Sequence, residues 1–281
     1  MRRRTRLARQ LFGAGATDQQ YSIALRDKLN QVKNLITPAN LLPEPNPNYI
    51  GLVMAYNVSD AFLDLDMRVS LVFVAYTAMP HAMGMLTTYD NIPAIILRTS
   101  FPSLKDKREG DLKPLIEMHG SLEDTLIHEL AHLLQKYKHN QPIKNPERAN
   151  YQGDREWLHD YYREPSESDA YFIQSVEPMW YAYSLSIRIF QSYIKRAREE
   201  GVETLDGQSL TWAETPEQQE QLAKVLARNQ YFGKSPTEFV WRVKQAIGER
   251  WYDAPNDVRR RWIRRATQFY NHVLELEKNA A

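Results

Sequence analysis

The 281-residue chain contains no cysteine. That absence excludes disulfide frameworks, thiolate zinc fingers, iron–sulfur clusters and thiol nucleophiles. A transition metal held by this chain needs His, Asp or Glu as ligand. A long apolar run is missing too. The most apolar stretch, residues 69–86, is broken by Ser70, Thr77, Pro80 and His81, so no membrane span is expected. There is no low-complexity segment and no internal repeat. With 43% hydrophobic and 25% charged residues, the composition is that of a globular protein able to bury a core, and whole-chain disorder is excluded.

Strong net charge is also lacking: 36 basic and 35 acidic residues leave +1. The balance is uneven along the chain. Residues 1–10 carry five arginines and no acid, residues 255–265 carry +4, and the remainder carries −8. The first 17 residues read as a basic arm that cannot pack a core. The arm has no apolar segment of the secretory kind, so a cytoplasmic protein is expected. Contact with a protein assembly or with nucleic acid through the arm is the partner reading. Arg259, Arg260, Arg261, Arg264 and Arg265 read either as a solvated helix face paired with acids or as a phosphate-binding patch.

Hydrophobic spacing places the elements. Tyr21, Leu25, Leu29, Val32 and Ile36 mark a helix over 18–36, followed by a Pro-rich linker over 37–49. Residues 62–77 read as a strand entering a sheet interior. Residues 92–99 read as a shorter strand, at an edge because of Pro93. A helix is expected over 121–137, opened by Ser121 and Asp124 as a capping box, then a polar loop over 138–156. Ser166 opens another helix, which Pro178 is expected to end or kink. Helices over 179–199, 236–250 and 255–277 complete the chain. The domain reading is an arm at 1–17, a helix and linker at 18–49, a core at 50–177 and a helical region at 178–281.

The chemistry concentrates in His128-Glu129-Leu130-Ala131-His132. Two histidines four apart on a helix project from one face and can reach one ion. Glu129 sits beside them, placed to take a proton from an attacking water. This is the H-E-x-x-H pattern of zinc peptidases. A catalytic zinc takes three protein ligands and keeps one position open. A third histidine in the metzincin register would fall at position 138, with glycine at 135; the chain has Lys138 and Gln135 there. The other source is a glutamate on a following helix. Glu167 has the small Ala170 one turn on, which lets two helices pack closely. Glu164, before Pro165, is the rival.

TLIHELAHLLQ followed by REPSESDAYF resembles the gluzincin group of zinc metallopeptidases, in particular small intracellular and phage-encoded members with a downstream Glu-x-x-Ala. The resemblance implies His128, His132 and Glu167 as zinc ligands and Glu129 as catalytic base. It implies an α+β fold: a zincin-like catalytic core, with a small mixed sheet packed on the HExxH helix, and a largely helical C-terminal region. It implies an edge strand beside that helix that pairs with extended substrate, the role assigned to 92–99. Tyr171 stands where members carry an acid, so the group that orients a ligand histidine is open between Asp169 and Asp124. The oxyanion donor is open among Tyr161, Tyr162, Arg163, His159 and Tyr171. The implied activity is zinc-dependent endopeptidase action on a protein or peptide, limited or regulatory in kind. The alternative is a catalytically inactive zincin-like subunit of a larger assembly, a phage particle included, which would make the protein virion-associated.

Overall fold

The computed structural model describes residues 18–42, 52–75, 78–79, 82–99, 120–138 and 155–278. The basic arm, most of the Pro-rich linker and most of the 138–156 loop lie outside the described residues. The chain divides into two compact units, one ending at Asp154 and one beginning at Arg155. Both helix and strand are present, as expected for a mixed α+β protein. No helix among the described residues is long and apolar enough to cross a membrane.

The first unit begins with α1 (Asp18–Asn34). Its buried stripe is Leu25, Leu29 and Val32. A mixed sheet follows, made of β1 (Leu52–Asn57), β2 (Ser70–Val74), β3 (Gly84–Tyr89) and β4 (Ile92–Arg98). Its order is β1-β2-β4-β3. β2 runs parallel to β4, and the two outer pairs are antiparallel. All five residues of β2 are buried, so the central strands are covered on both faces. Ala55, Val72, Val74, Ala94 and Ile96 form one packed cluster. Gly84 is registered opposite Leu97, on the face that meets the next helix, α2 (Gly120–Lys138).

Two expectations for this unit are corrected. The strand expected over 62–77 starts only at Ser70; Ser59–Leu65 is a 3-10 helix. Phe62 and Leu65 are buried while Leu63 is 71% exposed, a pattern that alternation mimics. A distant group selects the helical turn. The ammonium of Lys28, itself buried, contacts Asp64 at 2.5 Å, donates to the Ala61 carbonyl at 2.6 Å and lies over the Phe62 ring. The second correction concerns 92–99. β4 is an interior strand, and among the described residues the outer strands are β1 and β3. Asp90 and Asn91 have φ of 49° and 64°, the two-residue turn that joins tightly paired antiparallel strands. Pro93 is tolerated because pairing with β2 starts one residue later, at Ala94.

The second unit is helical apart from a two-residue-per-strand hairpin, β5 (Thr204–Leu205) and β6 (Gln208–Ser209). It contains α3 (Arg155–Arg163), α4 (Pro165–Glu199), α5 (Pro216–Tyr231), α6 (Pro236–Ile247), α7 (Glu249–Asp253) and α8 (Asn256–Lys278). α4 runs uninterrupted through Pro178, so 166–177 and 179–199 are one helix. A mid-helix proline costs about 3 kcal/mol. Burial of Val176, Trp180 and Tyr183 on either side offsets it. Trp180 stacks near Phe232, and Phe232, Phe239 and Phe269 pack on one another with centroids 5.2–5.8 Å apart. The helix expected over 236–250 is two helices, parted at Gly248 with φ 67°.

α1 is tied to α2 by charge. Glu123 of α2 accepts from Arg26 at 2.6 Å and Lys33 at 2.9 Å. Burial alone would raise its pKa, but hydrogen bonds and charge from Lys33 and Arg26 outweigh burial and hold the carboxyl below its usual range. A depressed carboxylate pKa contributes stability above the unfolded value, about 4.3, that is lost as pH falls through the folded value. Glu123→Gln is expected to cost about 1–2 kcal/mol at neutral pH by urea unfolding. The difference from wild type should shrink as pH is lowered below about 4; a cost that stays constant down to strong acid would count against the ion pairs.

Candidate metal centre

α2 carries its chemistry in its interior. Every residue from Leu126 to Leu134 is buried, including His128 at 7%, Glu129 at 6% and His132 at 7% exposed. α1 packs on one flank, where the Tyr21 hydroxyl donates to the Ala131 carbonyl at 3.0 Å. β3 and β4 pack on another. The i, i+4 spacing sets His128 and His132 side by side, with ring planes at 82° and the two Nε2 atoms 3.0 Å apart. Two imidazole nitrogens on one tetrahedral zinc, each about 2.0–2.1 Å from it, stand roughly 3.3 Å apart. The pair therefore fits one zinc after a ring shift of a few tenths of an ångström.

β3 passes against the same turn. A Cβ built on Gly84 would lie 2.4 Å from Thr125 Cγ2 and 3.0 Å from both Cγ and Oε1 of Glu129. Only glycine lets the strand backbone come that close. The edge strand is thus in contact with the side chain expected to move protons. β3 has no further strand paired on its outer side among the described residues. The sequence reading missed β3. Its signal was the Asp90-Asn91 pair between two apolar runs.

The remaining candidates belong to the second unit. Glu167 is in the first turn of α4 and half-buried. Its partner within that unit is the Tyr161 hydroxyl, on the last turn of α3. Burial first, then the neighbouring Tyr171 and Glu167, push the Tyr161 phenol far above its ordinary pKa, so it stays protonated and donates. Glu164, the rival ligand, is exposed and sits immediately ahead of the helix, with φ −56° and ψ 124°. The first turn of α4 is anchored from α8. Trp262 Nε1 donates to the Ser168 carbonyl at 2.8 Å, and Arg265 pairs with Asp169 at 2.6 Å.

Asp169 is therefore engaged by an arginine. Asp124 lies half-buried in the first turns of α2. Of the oxyanion candidates, Tyr162 is buried against Trp262, and Arg163 pairs with Asp160 and Asp257. Tyr171 lies beneath the Arg250 guanidinium at 5.1 Å. His159 is half-buried on α3.

No family model, no curated protein and no solved structure matches the chain.

The Gly84 contact is testable. Gly84→Ala is expected to destabilise the protein by about 1–3 kcal/mol, because the Thr125 methyl is fixed by β-branching and cannot swing away. Adding Thr125→Ser removes that methyl and should recover part of the loss in thermal unfolding. Strictly additive effects of the two substitutions would refute the close approach.

Proposed function

We propose that the protein is a zinc-dependent endopeptidase in which His128, His132 and Glu167 hold the metal and Glu129 is the general base. The observation that carries the reading is the buried His128–Glu129–His132 turn, with its two Nε2 atoms 3.0 Å apart on one face of α2. Each of the three proposed ligands offers one atom of the type that hydrolytic zinc takes: two imidazole nitrogens and a carboxylate oxygen. When bound, zinc polarises the scissile carbonyl and makes water acidic enough to attack near neutral pH.

The chain's own residues do the rest. Glu129 accepts the proton of the attacking water and returns it to the departing amine. β3 takes the place first assigned to 92–99. Its outer edge would pair with the main chain of an extended substrate, which positions a peptide without reading its side chains. The expected substrate is a protein or peptide cleaved at few sites. The second reading, an inactive zincin-like subunit of a larger assembly, keeps the metal and drops the chemistry, so one experiment separates the two.

Purified full-length protein is expected to hold about one zinc per chain by elemental analysis, lost in His132→Ala. Glu129→Gln should keep the zinc and lose about 100-fold or more in the rate of cleaving an unstructured protein substrate. A Glu129→Gln variant that cleaves at full rate would falsify the mechanism. Zinc retained without cleavage of any substrate by wild type would favour the structural reading.

A further inference from the structure

We infer that Tyr161 is a positioning residue whose phenol fixes the Glu167 carboxylate for metal binding. The inference rests on the ligand role proposed for Glu167. That residue occupies the third position of α4, after Pro165 and Ser166. An acidic side chain there ordinarily folds back onto the backbone N–H of the residue preceding the helix. In this chain that N–H is already engaged: Glu164 N–H donates to the Asp160 and Tyr161 carbonyls, each at 3.2 Å. The tight α3–α4 joint thus relieves Glu167 of a capping task, and its carboxylate accepts from the Tyr161 hydroxyl instead.

Tyr161 is itself held. Its ring packs on Tyr162 with centroids 5.6 Å apart and on Tyr171 at 6.4 Å. The Tyr171 hydroxyl lies 3.5 Å from its own. The Arg250 guanidinium lies over the Tyr171 ring. A carboxylate has two oxygens, so one can accept from the phenol while the other faces a metal. A donor on a ligand carboxylate selects its rotamer before the metal arrives, and losing such an outer hydrogen bond typically weakens metal binding about 10–100-fold. This role differs from that of an oxyanion donor. An oxyanion donor acts on the substrate in the transition state and leaves metal affinity untouched.

The test is zinc affinity, read by competition with a chromophoric chelator on the full chain. Tyr161→Phe is expected to weaken zinc about 10–100-fold, with little change in the metal-free melting temperature. In a Glu167→Ala background the same substitution should add less than about a two-fold loss. An unchanged Kd in Tyr161→Phe overturns the inference while leaving the zinc site standing. So does an equal loss in both backgrounds, which would mark a general packing role. A large fall in kcat at saturating zinc with Kd unchanged would assign Tyr161 to the oxyanion instead. Wild-type protein that binds no zinc removes the ligand role of Glu167 and this inference together. If Tyr161→Phe does not fold, Tyr171→Leu loosens the Tyr161 ring from its neighbour, and zinc affinity equal to wild type there refutes the positioning role.

Discussion

The first unit depends on one constraint: α2 has no solvent-facing side over the two turns that carry its polar groups. From Leu126 to Leu134 every residue is buried. A helix enclosed on all sides is ordinarily apolar all round. This one places two imidazoles and a carboxylate inside. Burying such groups costs several kcal/mol unless partners compensate. Departures from apolar patterning of this kind mark functional sites more often than structural ones. The enclosure also has a positive consequence. Side chains gripped by a helix and a sheet have few rotamers open to them, and a site on rigid elements keeps its geometry better than one on loops.

The packing around α2 follows from that constraint. On one flank α1 contributes an apolar stripe and three polar ties, from Tyr21, Arg26 and Lys33. On another, β3 closes in at Gly84 to within contact of Thr125 and Glu129. The sheet reaches that position through the Asp90-Asn91 turn, which folds β3 back along β4. A side chain at position 84 would push the edge away from the helix. The same glycine that costs backbone entropy is therefore what places a pairing edge beside a buried carboxylate.

How much of this was legible in the sequence varied with how local the determinant is. The span of α2 and the facing of His128 and His132 follow from periodicity within one helix, and both could be read directly. The capped start at Ser235, which accepts from the Glu238 N–H, was equally local, whereas the start read at Ser166 falls at Pro165, with Glu164 ahead of it and no side-chain cap. Several features were misread where another signal won, among them the 236–250 helix that Gly248 divides. The 3-10 helix at Ser59–Leu65 is selected by Lys28, some thirty residues earlier in the chain. Pro93 suggested an edge, but the strand was interior because pairing begins just beyond it. Pro178 suggested a helix end or a kink; the helix does not end there, and residues on both sides of it are buried. β3 was passed over, although Met85 and Leu86 and the Asp90-Asn91 turn after them were visible. The tie between Tyr161 and Glu167 was also beyond reach, since it depends on the joint between two helices.

The arginine run near the C-terminus is not one feature. Arg265 faces inward, pairs with Asp169 and lies over the Phe172 ring at 4.6 Å. Arg259 is bonded to Asn256 at the start of its own helix. Trp262, between them, donates to the Ser168 carbonyl. The inward members of the segment thus hold the start of α4 by the Ser168 carbonyl and by the Asp169 side chain. A half-buried ion pair and a buried indole hydrogen bond are each modest alone, at about 1–2 kcal/mol. Acting on consecutive residues, they leave the turn little freedom to tilt. With the backbone fixed from α8, the direction of the Glu167 side chain becomes a local matter for Tyr161. A run of like charge that reads as a solvated face or a phosphate patch therefore serves in part as an internal fastening, directed at the one turn of the second unit that bears a candidate ligand.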